Sequence, residues 1–458
     1  MSSAVDGLVS GLSTSSLITQ LMQVEAAPQA RLKTKVTTAQ NVVSSYQSVN
    51  SKVTALKASA HTLTQLPTWR AIKASSSSPS VTATASTGTN TAAGTTTFDV
   101  AKLSKSQITT AKVDPAADIT SNGTITVTIG PADVLDEYGA LVTDNSSKRT
   151  PTTITLTDRT AKGVADAINA KGIGVKAAVV QTGGAQNILQ FSGTKTGLDA
   201  AFTLSDFDPP TNDVQDAQNA LLKIGGGEEE GGYNVTSATN TFTGLLTGVT
   251  VTVSKEETGV TIDATTDVDG MADKFAALVD AANAALSEIK TQTSYNAATN
   301  KGSPLTGDFS VRNMSQVILS TIGKGLSYPD PESTAQNPLP DIKFGSLAKM
   351  GIQLDQSGQL KFEKKDFVEN YSEDPAYFQQ SAMEFGKAFE KVTDSQASSL
   401  TSVILGRKSE IDNYNTQISN WDVRLAAKRV ALQKHYSDLE VSLGKLKNQS
   451  NWLAGQLG

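Results

Sequence analysis

IDNYNTQISNWDVRLAAKRVALQKHYSDLEVSLGKLKNQSNWL, residues 411–453, poses the central question of the fold. Ile411, Ile418, Leu425, Leu432, Leu439, Leu446 and Leu453 recur every seven residues. An ideal straight helix drifts by about 20° per heptad, so a strict repeat held this long reads as a coiled-coil seam and not as one face of a globular helix. The second seam position is poorly filled. Tyr414 and Trp421 suit it, Lys428 and His435 do not, and Leu443 and Leu457 come one position later. A self-sufficient coiled coil fills both positions, so this helix is expected to seek a partner. No Pro follows Pro375, and a helix over roughly 397–456 would be about 90 Å long, too long for one compact domain.

The other end of the chain has the matching character. Between Gly11 and Gly88 there is no Gly, and between Pro28 and Pro67 no Pro, so residues 29–66 can run as one helix. Val36, Ala39, Val43, Tyr46, Val49, Val53, Leu56, Ala60 and Leu63 recur at threes and fours along it. Before it, Leu17, Ile18, Leu21, Met22 and Val24 mark a shorter amphipathic helix, with Ser13 to Ser16 available as N-caps. Pro28 is expected to kink or end that first helix.

Between these ends the period changes to two. Of the 55 Thr, 37 lie between Ser76 and Thr266, in runs such as SVTATAS (80–86), TTTFDV (95–100), TITVTI (124–129), TTITL (152–156), GVTVTV (248–253) and GVTIDA (259–264). Such Thr/Val alternation predicts antiparallel strands with one solvated face. VADAINA (164–170) reads as a short helix among them. Pro209–Pro210 and Gly225 to Gly232, which enclose Glu228 to Glu230, are turn and loop signals. Helical patterning returns at Met271 to Lys290 and Asp308 to Ile322, and Leu354 to Leu360 reads as a short hairpin. The expected class is therefore α+β and multidomain: long terminal helices forming a coiled-coil-like leg, with inserted β-rich head domains.

Composition agrees and excludes much. Length allows roughly three domains, and 38% hydrophobic residues are enough for a real core. Zero Cys removes disulfide scaffolds, Cys-ligated zinc, iron–sulfur clusters and thiol nucleophiles. His61 and His435 are the only His, and both fall in predicted long helices, which provide no cleft for a catalytic triad. Residues 1–70 carry a net charge of +4 and residues 400–458 of +3, leaving −13 for 71–399. The basic ends are too dilute for nucleic acid, and a pI of 5.2 argues against it.

No run approaches the roughly 18 apolar residues of a membrane span. The opening MSSAVDGLVSGLSTSS lacks a basic n-region and apolar core, so there is no Sec-type signal and only another route would export the chain.

Motifs for chemistry are missing in turn. No phosphate loop occurs: Gly323-Lys324 has Ile318 where the first Gly belongs, and Gly225–Gly227 leads into three Glu. Asp267-Val268-Asp269-Gly270 and Asp355-Gln356-Ser357-Gly358 place Gly too early for a calcium loop and read as a cap or turn. Sequons at Asn122, Asn145, Asn234 and Asn313 show only surface-compatible composition. Trp69, Trp421 and Trp452 belong to or border the helical ends. The chain reads as neither an enzyme nor a metal or cofactor protein.

Ordered short matches carry a resemblance. Gly7-Leu8-Val9-Ser10-Gly11-Leu12-Ser13, Leu17-Ile18-Thr19-Gln20-Leu21-Met22 and Glu25-Ala26-Ala27-Pro28 resemble the N-terminus of the bacterial flagellar filament cap family, also called hook-associated protein 2. Residues 122–204, with Ala167 to Ala170, Gly174-Val175 and Gly197, are similar to the repeat found in flagellin and hook-associated proteins. Tyr233 to Asp269, with Gly248 to Val253, resembles the family's next segment. Pro304 to Asp308, Leu347 to Gly358 with Leu360, and Gln449 to Ala454 match its C-terminal half. The stretch 75–97 and the polar insertion around 131–150 depart from it.

The resemblance implies a structural cap at the distal filament tip that retains exported flagellin and promotes its folding and polymerisation. It implies export by the flagellar type III route and a ring of several copies, about four to six. The partners it implies are flagellin, hook–filament junction proteins and an export chaperone. Residues 1–35 and 435–458 would insert at the filament end, 36–72 and 267–434 would form the leg, 73–102 and 205–266 one head domain, and 103–204 a second. The expected association seam is Leu17, Leu21, Met22, Val43, Tyr46, Val53, Leu56 and Ile411, Ile418, Leu425, Leu432, Leu439, Leu446, Leu453. A tip adhesin binding host or surface glycans, or a hook–filament junction protein, are the alternatives.

Overall fold

The computed structural model describes Gly11 and residues 13–86, 93–135 and 141–457. They fall into two compact units, 1–65 with 269–458, and 66–268. Most of the opening Gly-Leu motif, residues 1–10 and Leu12, lies outside the described residues, as do residues 87–92 of the departing 75–97 stretch and 136–140 of the polar insertion.

The first unit is mainly helical. Its first helix spans Thr14–Glu25, with Ser13 at the N-cap position but no side-chain cap bond. The long N-terminal helix follows at once, Ala27–Thr64, with Pro28 in its first turn. Pro lacks only an N–H that is unpaired there anyway, so it opens this helix, and the break falls at Ala26. Ser45 and Tyr46 are buried with the predicted stripe, and Val49, Val53, Leu56, Ala60 and Leu63 are fully buried.

The C-terminal helix runs Pro375–Leu457, 83 residues, which at 1.5 Å per residue is about 125 Å. It starts some twenty residues earlier than the heptad alone predicts. Pro375 occupies its first position, and Phe378, Ala382, Phe385 and Phe389 supply a buried stripe spaced by four, three and four. Gly386 lies where this helix crosses the long N-terminal one: a Cβ there would sit 3.0 Å from Leu63 Cβ and 3.2 Å from the Ala60 carbonyl oxygen. Helices Val268–Thr293, Phe309–Gly323 and Lys364–Glu373 complete the unit. A hairpin of Ile352–Leu354 and Leu360–Phe362 adds to it, and Phe275, Phe362, Phe367, Tyr371 and Phe378 form one aromatic cluster.

The second unit carries the period-two strands around two cores. One core lies within a five-stranded antiparallel sheet, in the order Ile72–Ser76, Glu257–Thr266, Gly94–Lys102, Ala220–Ile224, Tyr233–Ser237, and a three-stranded sheet of Thr241–Thr243, Val249–Val253 and Val81–Ala85. Val249, Val251 and Val253 are buried while Thr252 faces out, as the alternation requires. The other core is shared by a four-stranded sheet (Thr211–Gln215, Ile108–Val113, Asn187–Gly193, Val175–Val180), a three-stranded sheet (Phe202–Ser205, Thr124–Ile129, Thr150–Thr155) and the helix Ala161–Lys171. Thr160 caps that helix, its hydroxyl accepting from Gly163 N, and Gly172 ends it at φ 65°, a left-handed conformation that favours Gly.

Candidate functional site

The described site is the antiparallel pairing of the N-terminal helices with the last one. Contacts climb one helix as they descend the other. His61 Nδ1 lies 2.9 Å from Glu390 Oε1, Lys57 Nζ 2.6 Å from Asp394 Oδ1, and Asn50 Nδ2 donates to Thr401 Oγ1 at 3.4 Å. Lys35 sits over the Tyr414 ring at 5.7 Å. Buried Gln29 donates through Nε2 to Asp422 Oδ1 at 2.5 Å, and Lys428 pairs with Glu25 at 3.3 Å. Gln29 gave no sequence signal: a polar residue after Pro28 reads as surface until its partner, nearly 400 positions away, is known. Buried there, it rewards only the register that brings Asp422 opposite.

A polar cluster braces the middle of the pair. Tyr46 OH donates to Asp308, whose other oxygen accepts from Val311 N at 3.1 Å and so caps the helix Phe309–Gly323. Burial, and then the hydrogen bond to Asp308, push the Tyr46 phenol up to about 12. Arg407 donates to Glu410 at 2.9 Å and Tyr414 OH donates to it at 2.8 Å, which together hold Glu410 below the usual carboxylate range. These groups line a cleft of about 500 Å³ with Lys35 and the Pro304–Thr306 turn. Every acid and phenol in it is engaged in positioning another group, and no nucleophile is paired with a base.

The predicted seam residues divide into three sets. Val43, Tyr46, Val53 and Leu56 are buried within the unit, so their work is to hold this chain together. Ile411, Ile418, Leu425, Leu432 and Met22 are half-buried. Leu439, Leu446 and Leu453 are exposed at 41, 60 and 51%, with Leu17 at 42%, Leu21 at 40% and Trp452 at 67% beside them in character. In the first helix the buried residues are Thr14 and Ile18. The heptad therefore runs from a covered end to an uncovered one.

Of the two acidic tetrads, the Asp355 carboxylate is taken up by its own turn, accepting from Ser357 N, Ser357 Oγ and Gln359 N at 2.6–2.9 Å. Asp269 pairs with Lys364 at 2.9 Å at the start of the helix Val268–Thr293. Among the described residues no group of three or more acids or His could hold a metal ion, and no helix is long and apolar enough to cross a membrane.

Long paired helices with an apolar seam left partly open, in a chain that carries a β-rich unit between its two helical segments, are the architecture of a structural protein. Comparison makes this specific. The family profile described as flagellar hook-associated protein 2 C-terminus matches residues 217–448, and that described as its N-terminus matches residues 10–107. The chain belongs to the flagellar hook-associated protein 2 family, one of structural flagellar proteins and not a known family of enzymes.

The lateral flagellar hook-associated protein 2 of Vibrio parahaemolyticus is 24% identical over 273 residues, 57% of this chain and 55% of that protein. The flagellar hook-associated protein 2 of Salmonella typhimurium is 24% identical over 333 residues, 65% of this chain and 67% of that protein. The matches thus span about half to two thirds of these relatives. In fold, the chain is similar to the crystal structure of the D1-D2-D3 domains of the flagellar cap protein FliD from Escherichia coli, with a TM-score of 0.55 at 21% identity, covering 81% of this chain and 99% of that one.

Proposed function

We infer that this chain caps the distal tip of the flagellar filament, retaining exported flagellin and promoting its folding and polymerisation. The observation that carries this reading is the graded seam, covered at Ile411 to Leu432 and open at Leu439, Leu446 and Leu453, in a member of this family. An open apolar row on a long helix is an edge that another helix covers. Here the covering helices are those of flagellin and of further copies of this chain, arranged as a ring of about four to six. Residues 1–35 and 435–458 seat at the filament end, 36–72 and 267–434 act as the leg, and 73–102, 205–266 and 103–204 form the heads. The type III export apparatus and its chaperone deliver the chain, and the hook–filament junction proteins form its first seat.

This function is mechanical: it needs helices that order against neighbours, not a reacting group. Deletion of the gene in its source bacterium tests it. Monomeric flagellin in the medium and hooks without filaments are the expected result. Normal filaments with altered attachment to surfaces would overturn the cap reading in favour of an adhesive one.

A further inference from the structure

A second surface of the helical unit is built for contact, away from the heptad. The helix Phe309–Gly323 and the C-terminal helix border a groove of about 390 Å³, whose lining includes Phe309, Met314, Val317, Val392, Gln396 and Ser399 and has no ionisable side chain. Phe309 is exposed at 76%, although it is the first residue of a helix fixed by the Asp308 cap. In the groove lies Gln396, only 8% exposed. Its Nε2 donates to the Met314 carbonyl at 3.3 Å and its Oε1 has no hydrogen-bond partner. A buried acceptor left without a donor is costly, and the group it lacks is an N–H or O–H.

The same unit presents a complementary projection a few residues away. Tyr295–Asn296 pairs with Lys301–Gly302 as a small hairpin, and every residue from Ser294 to Gly302 is exposed, Tyr295 at 58%. Asn296 Oδ1 accepts from Ala298 N and Thr299 N, and Asn300 Oδ1 accepts from Tyr295 OH. Each amide thus uses its oxygen inside the hairpin and keeps its NH₂ to donate elsewhere. Asn300 holds φ 51°, a left-handed conformation in which Asn is enriched, so the tip is shaped and not slack. Hairpin and groove are pinned to one segment: Ser303 N donates to Ser294 O, Leu305 N to Gln292 O, and Asp308 begins the groove's helix.

A ring closes through two different patches on each copy, set at the same height along its axis. Groove and hairpin are two different patches, one apolar and short of a donor, the other aromatic and supplied with amide donors. The geometry points to a head-to-tail contact between copies of this chain, in which the Tyr295–Gly302 hairpin of one copy enters the groove beside Phe309 of the next, its ring on the apolar wall and an amide donating to Gln396 once that side chain turns outward to meet it. This rests on the ring reading above and names the contact that closes the ring.

The chain has no Cys, which makes the test direct. Full-length protein carrying Thr299→Cys together with Ser399→Cys is oxidised at concentrations where the wild type assembles, then run without reductant. A ladder of covalent dimers, trimers and higher species is expected, while each single variant stops at dimer or below. Phe309→Ser should keep its circular-dichroism melting curve and raise the half-assembly concentration about tenfold. Wild-type oligomers with no ladder in the double variant, and Phe309→Ser assembling as wild type, overturn the contact alone. Wild type that stays monomeric at every concentration contradicts the ring reading itself, and the contact with it.

Discussion

Two stretches of one helix, residues 378–404 and 439–453, both carry apolar rows yet meet opposite fates. In the first, Phe378, Ala382, Phe385, Phe389, Leu400 and Ile404 are buried; in the second, Leu439, Leu446 and Leu453 stand 41–60% exposed. The difference lies in the second seam position. The inner stretch alternates steps of four and three and fills both positions, even placing Thr393 and Gln396 in the buried row. Helix Ala27–Thr64 covers it from about Gly386 onward, the helix Lys364–Glu373 packs on Phe378, and Phe309–Gly323 meets Gln396, all within the same chain. The outer stretch keeps its first row at sevens but fills the second with Leu443 alone, and its Leu439, Leu446 and Leu453 are left largely uncovered by this chain. A doubly filled seam thus goes with intramolecular packing here, and the outer, half-filled one is the part we propose for assembly.

The largest expected effect on stability comes from the inner stretch. Phe389→Ala removes a fully buried ring and should lower unfolding free energy by about 3–5 kcal/mol in a denaturant titration of the helical unit's signal. Leu446→Ala, the same kind of truncation 57 positions along one helix, should move it by less than about 0.5 kcal/mol while weakening assembly. Equal losses at the two sites would break the comparison.

Next is Tyr46→Phe, which deletes the hydroxyl that donates to Asp308 and should cost about 1–2 kcal/mol. It also has a pH signature. The folded Tyr46 phenol is raised to about 12 from an unfolded value of 10, so its contribution is complete below pH 10 and is lost as pH rises from 10 through 12. Urea midpoints measured from pH 9 to 12 should fall less steeply in the Phe variant. The smallest effect is Lys428→Gln, which removes the half-exposed pair with Glu25 and should change stability by less than about 0.5 kcal/mol. A larger loss would show the outer end to be held by charge and not by seam contacts.

Much of this was legible in the residues. The strands stand where Thr/Val alternation put them, because a half-buried antiparallel strand writes its two faces directly into sequence. The terminal helices and their apolar rows were legible for the same reason at a period of 3.6. The early start of the last helix was hidden by weighing the heptad alone, since Phe378 to Phe389 fall before Ile411 and fill two rows instead of one. The extent of cover could not be read from the first row alone, because Leu425 and Leu446 are the same residue in the same repeat and differ in what lies opposite. Gln29 with Asp422, and Tyr46 with Asp308, are contacts between distant positions that no local pattern announces.

The most direct test is complementation of a gene-deletion strain with Leu446→Asp/Leu453→Asp, read as flagellin in the medium and filaments on the cells. The account predicts a stably folded, exported protein that leaves hooks bare and releases monomeric flagellin. Full-length filaments with no flagellin in the medium would show that the uncovered seam has no part in capping, and would contradict the assignment of this helix end to assembly.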